Sequence, residues 1–375
     1  MSLSFSIEAS DGKARAGLVK TAHGIFLTPA FMPVGTAGTV KAMTPESLAS
    51  SGSDIVLANT YHLMLRPGPE IVKALGGLGK MMAWPGPILT DSGGFQVMSL
   101  SKLRKLTEDG VTFKSHIDGK EYFLSPEKSV AVQESLNATI SMVLDECTAY
   151  PCSKEEAEKS MNLSMAWAVR SKEVFNSRPG YGLFGIAQGG VHLDLRRESV
   201  SFLKEQEFDG YAIGGLAVGE EPEILHKVAK FTAGILPPDK PRYLMGVGRP
   251  EDLVKAVSVG CDMFDCVLPT RSGRTGQAFT HRGTVNIRNS RHRSDARPLD
   301  ALCGCPTCLS YTRGYLHHLV RSGEILGSML MTWHNIHYYQ TLMASIRSHI
   351  LDGEFSKFET GFTELYSGGD VEPLN

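Results

Sequence analysis

The stretch Cys261-Asp-Met-Phe-Asp-Cys-Val-Leu-Pro-Thr-Arg271, continuing through Ser272-Gly-Arg-Thr-Gly276, carries the residues best placed for chemistry. An apolar run from Met263 to Leu268 holds one carboxylate, Asp265, and two arginines, Arg271 and Arg274, follow at once. Pro269 is expected to stop the strand, because proline has no N–H for a ladder hydrogen bond. Both arginines would then lie on a glycine-punctuated loop. A carboxylate near the end of a buried strand, beside a loop able to hold phosphate, points to nucleophilic chemistry on a nucleotide. The plainer alternative is a buried aspartate satisfied by backbone amides, and this stretch alone does not separate the two.

A second group is Cys303-Gly-Cys305-Pro-Thr-Cys308, three thiols within six residues. Free thiols this dense are an oxidation liability, so the spacing points to a metal. Tetrahedral zinc needs a fourth ligand. His334 leads as that ligand, in Thr332-Trp-His-Asn335, where it is expected to open a helix; His317 and His318 compete. Three cysteines and a histidine leave zinc no open position, so one structural Zn2+ per chain is expected. It would staple a basic loop and two C-terminal helices, 334–351 and 355–366, to the rest of the chain.

The third group is basic. Between residues 271 and 297 seven residues are arginine and only Asp295 is acidic, in a chain whose net charge is -2. A solvated charged loop would explain this. A local phosphate footprint explains it better, because the surrounding sequence is slightly acidic.

These groups need a scaffold. Short apolar runs at 30–34, 55–58, 88–90, 140–144, 182–187, 210–213, 243–247 and 263–268 read as strands. Amphipathic helical patterns lie between most of them, at 126–136, 153–176, 193–207, 222–235 and 250–259, several opening with proline or Ser/Asp. Strands and helices alternating over about 240 residues predict a (β/α)8 TIM barrel of the α/β class. An open doubly wound sheet is the alternative, but no Gly-rich phosphate fingerprint follows the first strand. Just past the strand ends sit Asn59, Asp91, Asp145-Glu146, Gln188-Gly-Gly190, Gly214-Gly215, Gly246 and Asp265. In a barrel those ends share one rim, the catalytic face. Any one polar residue merely beginning a loop is unremarkable; all of them together are less easily dismissed.

The 375 residues suit one large α/β domain or two ordinary ones; a single catalytic domain is expected. Residues 1–27 are expected to form a β hairpin or lid, 28–270 the barrel, and 271–375 the basic loop, zinc-binding subdomain and C-terminal helices. No run is apolar enough to span a bilayer and no signal-peptide core is seen near the N-terminus, so a cytoplasmic protein is expected. Seven cysteines in such a compartment favour thiols and metal over disulfides.

At this point the chain resembles the tRNA-guanine transglycosylases, also called queuine tRNA-ribosyltransferases. The matching stretches are Leu89-Thr-Asp-Ser-Gly-Gly-Phe-Gln-Val97, Val143-Leu-Asp-Glu-Cys147, Gly185-Ile-Ala-Gln-Gly-Gly190, Ile213-Gly-Gly-Leu-Ala-Val-Gly-Glu220, Tyr243-Leu-Met-Gly-Val-Gly248, Phe264-Asp-Cys-Val-Leu-Pro-Thr-Arg271, and the cysteine cluster with His334. They cover nearly the whole chain in the family's order. The resemblance implies a zinc-containing barrel that exchanges guanine at the tRNA wobble position for a 7-deazaguanine base.

By that resemblance Asp265 is the nucleophile and Asp91 the proton shuttle. Asp145, Gln188 and Gly215 read the base, and Phe95 and Met245 sandwich its ring. Arg249, Asp252, Arg271 and Arg274 contact the anticodon loop of tRNAs for Asp, Asn, His and Tyr. Cys147 and Val218, with the Leu216 carbonyl and Glu220 behind it, mark a bacterial-type member that inserts the aminomethyl base preQ1 and excludes the bulkier queuine. A homodimer and no membrane association are implied. Two other functions compete: a non-catalytic RNA-binding subunit, which the presence of Asp265 and Asp91 disfavours, and a zinc-dependent hydrolase, for which no His and carboxylate cluster is apparent.

Overall fold

The computed structural model describes residues 3–100 and 104–373. Its centre is an eight-stranded parallel sheet. The chain first makes an antiparallel sheet of β1 (Ser4–Asp11), β2 (Ala14–Thr21) and β3 (Gly24–Thr28). The barrel begins with β4 (Ala30–Pro33), β5 (Val56–Ala58) and β6 (Ile88–Thr90). A second antiparallel sheet, β7 (Arg104–Thr107), β8 (Gly110–Lys114) and β9 (Glu121–Leu124), interrupts it. The barrel resumes with β10 (Ile140–Met142), β11 (Gly182–Ala187), β12 (Gly210–Ile213), β13 (Arg242–Leu244) and β14 (Met263–Cys266). The spatial order β4-β14-β13-β12-β11-β10-β6-β5 is closed by one parallel bridge between Val34 and Leu57. All eight expected strands are therefore present, and they form the expected barrel.

Strands with both faces covered read as continuous apolar runs. Accordingly every residue of β4, β5, β6, β10, β11, β12 and β13 is buried. Only β14 departs from this: Asp265 and Cys266, at its end, are half-buried. The outer helices start where the sequence marks them. Ser125 caps Pro126–Ser135 through the Lys128 amide, and Ser153 opens Lys154–Val174 with a capping box to Glu156. Pro222–Ile235 and Pro250–Ser258 begin with proline in the first turn.

Four local expectations are revised. The N-terminal element has three strands, because a second turn at Thr21–Gly24 adds β3; the Thr21 hydroxyl donates to the Gly24 carbonyl there. This sheet closes the barrel at the start of its strands, opposite the polar rim. Leu3 and Ala22 donate to the carbonyls of Tyr181 and Gly180, just before β11, and Arg15 Nε donates to Asp262, just before β14, at 3.0 Å. It is a floor, not a lid over the rim. Arg271 and Arg274 lie on a helix, Leu268–Thr275, rather than a loop: Pro269 occupies its first turn, where a missing N–H costs nothing. His334 does not open a helix, since the helix runs from Ile325 to Leu351. That long helix packs against β4 and against the helices Pro45–Ser50 and Pro250–Ser258, so it completes the eighth β/α unit. Residues 268–322, with the hairpin β15 (Gln277–Thr280) and β16 (Gly283–Asn286), are inserted between β14 and that helix.

Candidate active site

The polar residues past the strand ends meet at one end of the barrel. Asp265 closes the apolar run of β14. The Tyr243 hydroxyl, from β13, donates to Asp265 Oδ1 at 2.5 Å, and the Gly246 amide donates to the same oxygen at 2.9 Å. No hydrogen bond among the described residues falls on Oδ2. Burial raises the Asp265 carboxyl above the usual range, against the two donors, which lower it. Tyr243 is itself buried, and burial together with the Asp265 charge keeps its phenol protonated. The sequence reading missed Tyr243; its place two residues before Met245 in a matched motif was the only signal.

Asp91 follows β6 and is nearly enclosed. It accepts from the Thr60 amide at 2.8 Å, from Gln96 Nε2 at 2.7 Å and from the Asn59 side-chain amide. The Thr60 hydroxyl donates to the Asp91 carbonyl. Burial pushes its carboxyl up to about 6, and the nearby Asp265 charge adds to the rise, while the hydrogen bonds from Asn59, Thr60 and Gln96 hold it down. Two carboxylates within each other's field disfavour double ionisation. Asn59 was expected at the rim; Thr60 and Gln96 were not singled out.

Asp145 follows β10. It accepts from Ser92 Oγ at 3.0 Å and from Gln188 Nε2 at 2.7 Å. Burial pushes it up to about 6 against those two donors. The backbone at Gly94 passes so close that a Cβ there would lie 2.3 Å from the Asp145 carbonyl oxygen, so only glycine fits. Gln188 lies flat on the next turn: a Cβ at Gly215 would sit 2.5 Å from Gln188 Oε1. Gly215 also adopts φ +65°, the left-handed region. Leu216 is buried, Val218 half-buried, and Glu220 accepts from the amides of Ala217 (2.6 Å) and Val218 (3.0 Å). Glu220 thus grips the backbone after Leu216. Cys147 is buried beside Asp145, and burial raises its thiol to about 12. Phe95 is exposed and Met245 half-buried, so neither ring nor thioether is used up in the core.

The basic residues divide. Arg249 and Arg271 are exposed, and Arg274 is half-buried with Nη1 on the Thr270 carbonyl. Burial and the neighbouring Arg271 lower the Arg274 guanidinium. Asp252 is engaged by His226 Nε2 at 2.9 Å. Of the seven arginines of 271–297, four are engaged within the protein. Arg291 pairs with Asp370, Arg297 with Asp295 at 2.7 Å, and Arg282 and Arg288 hold the carbonyls of Gly369 and Thr275. Those four stitch the inserted region together.

Cys303, Cys305, Cys308 and His334 converge, their donor atoms all within 4.8 Å of one another and all four residues buried. His334 Nδ1 lies 3.6 Å from Cys305 Sγ and 3.3 Å from Cys308 Sγ, and its Nε2 sits 2.8 Å from the Phe279 carbonyl. That carbonyl fixes the tautomer with Nδ1 free to bind a metal. His317 Nδ1 is instead on the Ile287 carbonyl, and His318 is exposed. The group can hold a metal ion. No helix among the described residues is long and apolar enough to cross a membrane.

Comparison with known proteins agrees with this arrangement. A family model described as queuine tRNA-ribosyltransferase matches residues 10–368. The chain is 59% identical over 371 residues to a queuine tRNA-ribosyltransferase of Cereibacter sphaeroides and 60% identical over 371 residues to one of Dinoroseobacter shibae, covering 99% of each chain in both cases. It is 60% identical over 357 residues to one of Rickettsia bellii, covering 95% of this chain and 99% of the relative. With the same motifs gathered at the mouth of a closed barrel, the chain belongs to the queuine tRNA-ribosyltransferase family and is a tRNA-guanine transglycosylase.

Proposed function

We propose that the enzyme exchanges the wobble guanine of tRNAs with GUN anticodons, those for Asp, Asn, His and Tyr, for preQ1 through a covalent enzyme–RNA intermediate. The observation that carries this reading is Asp265: one oxygen fixed by two donors, the other without a hydrogen bond, at the only half-buried strand end of the barrel among the described residues. Asp265 Oδ2 attacks C1′ of the ribose as the C1′–N9 bond to guanine breaks, the logic of a retaining glycosidase. Asp91, poised near 6, gives a proton to the departing purine. The incoming base then attacks C1′, its own proton passes to Asp91, and the bond to Asp265 breaks. Two inversions restore the original configuration.

The base, flipped from its stack, lies between Phe95 and Met245. Asp145 accepts from N1–H and the 2-amino group, and Gln188 and the Gly215 amide meet the 6-oxo group. The Leu216 carbonyl, with Glu220 behind it, accepts from the aminomethyl substituent. Val218 supplies bulk where queuine's cyclopentenediol would pass; efficient insertion of queuine by the unmodified protein would overturn that part. Arg249, Arg271 and Arg274 hold anticodon-loop phosphates, with Asp252 orienting the rim beside them.

Zinc fits the Cys3His group. Tetrahedral Zn–S and Zn–N bonds place sulfur and nitrogen about 3.6 Å apart, close to the separations at His334. All positions are filled by protein, so the ion would be structural. In this part of the chain Leu302, Leu309 and Ile325 are 65%, 74% and 77% exposed, and exposed apolar side chains here support a homodimer formed through this region. A thiol-rich site and a tRNA substrate suit the cytoplasm.

The decisive experiment is radiolabelled guanine exchange into unmodified tRNA, with Asp265→Ala as control. Incorporation by the parent and none by the variant is expected. Equal incorporation by both would move the nucleophile elsewhere.

A further inference from the structure

Behind the base-reading wall lies a charged side chain that the reaction scheme does not use. Arg196, on the helix Leu193–Glu205, has no exposed surface. Its Nε donates to the Gly190 carbonyl at 2.8 Å and its Nη1 to the Ala187 carbonyl at 2.9 Å. The Ala187 oxygen also receives the Gly214 amide at 3.1 Å. The guanidinium therefore sits at the junction of the two segments that face the base, Gln188–Gly190 and Gly214–Gly215. Its Nη2 is buried with no partner and points toward that junction, 3.4 Å from where a Cβ on Gly215 would stand.

A buried arginine with a free N–H pair is costly unless its position is useful. Burial lowers its ionisation only to about 10, so it stays charged at neutral pH. The groups acting on it are Cys147, whose thiol is raised to about 12 and is therefore neutral, and the Glu220 carboxylate. The cation is thus held among three elements of the pocket: the Gln188 loop, the Gly215 turn and the Glu220 grip.

We propose that Arg196 is a positioning residue for base recognition, bracing the Gln188–Gly190 loop against the Gly214–Gly215 turn and keeping Nη2 for an acceptor that becomes available when the pocket is filled. This rests on the reading of Gln188 and Gly215 as base readers. Gln188 already lies against both glycines: a Cβ at Gly214 would be 2.8 Å from its Nε2 and one at Gly215 2.5 Å from its Oε1. With so little slack, a shift of the loop by a few tenths of an ångström alters the hydrogen-bond geometry offered to the base. Asp91 and Asp265 stand on other strands and are not linked to Arg196 by any hydrogen bond among the described residues, so the effect falls on the base and not on tRNA docking.

The test compares Arg196→Ala, Arg196→Lys and the parent in guanine exchange, measuring KM for guanine and KM for tRNA separately. In Arg196→Ala the guanine KM should rise about ten- to hundredfold, the loss of two charge-assisted hydrogen bonds, with the tRNA KM changed less than about threefold. Guanidinium ion added at millimolar levels should restore part of the guanine affinity to Arg196→Ala and none to Arg196→Lys, because only the first leaves a cavity of its shape. If Arg196→Ala does not fold, Arg196→Lys carries the test: lysine reaches one carbonyl, so its guanine KM should rise by a smaller factor. An unchanged guanine KM in the folded variants, or equal rises in both KM values, would overturn the proposal. Absence of any guanine exchange by the parent would instead overturn the function on which it rests.

Discussion

The Tyr243 hydroxyl donates to Asp265 at 2.5 Å from the neighbouring strand. Strands β13 and β14 pair in parallel with Tyr243 opposite Met263, two residues ahead of Asp265. The ring is buried, so the hydroxyl has no solvent to turn to and holds one carboxylate oxygen in place. Removing it in Tyr243→Phe should slow formation of the covalent RNA adduct about ten- to hundredfold while leaving the fold and tRNA affinity intact. A denaturing gel should show that slow adduct, and none at all with Asp265→Ala. An adduct formed at the parent rate would show that the hydrogen bond is dispensable.

Asp91→Asn keeps the shape and removes the proton transfer. Exchange should fall by roughly two to four orders of magnitude. Single-turnover rates with the loaded tRNA should fall as much as steady-state rates. Normal turnover would remove Asp91 from the role of proton shuttle.

Asp145 links function to pH. Its carboxyl is raised by burial to about 6, so the acceptor proposed for the purine N1–H and 2-amino group is lost as pH falls through that value. Guanine affinity should drop on the acid side of 6. The stability effect has the opposite direction. A carboxyl raised in the folded state favours folding below its unfolded value of about 3.9, and that contribution is lost as pH rises through 6. Asp145→Asn should therefore be more stable than the parent at pH 8, by about 1–3 kcal/mol, and should lose that advantage below pH 4. Thermal denaturation at the two pH values measures this; an equal difference at both would contradict it.

Metal analysis should find about one zinc per chain. His334→Ala removes the proposed ligand that would tie the inserted region to the long C-terminal helix, so it should lose metal and lower thermal stability. Activity should decline only in step with the folded fraction. Full zinc retention by His334→Ala would point to a different fourth ligand.

Arg271 is exposed on the helix after β14, and Arg274 stands one turn on. Arg271→Ala should raise the tRNA KM several-fold more than the guanine KM, and the slope of tRNA affinity against salt should lessen by about one. An unchanged salt slope would take Arg271 off the RNA path.

Much of this protein was legible in the order of its residues. Eight mostly apolar runs ending in polar residues are the signature of a closed parallel barrel, because strands buried on both faces are predominantly apolar until they reach the rim. The same logic exposed Asp91, Asp145, Gln188 and Asp265, and the spacing of three cysteines pointed to a group able to hold a metal. Other features depended on which segments meet in space. Pro269 reads equally as the end of a strand or the start of a helix, and only the packed chain shows the helix Leu268–Thr275. Among the arginines of 271–297, composition cannot tell a phosphate contact from a pair with Asp370, which lies some eighty residues away for Arg291. His334 was preferred to His317 and His318 but was distinguished from them only when folding brought Nδ1 to the thiols and Nε2 to the Phe279 carbonyl. Tyr243 and Arg196 carry no pattern of their own. Each is an ordinary residue of a strand or helix until the barrel closes and places its polar end against a neighbour's carboxylate or carbonyl, because periodicity encodes which face is buried and not what that face will touch.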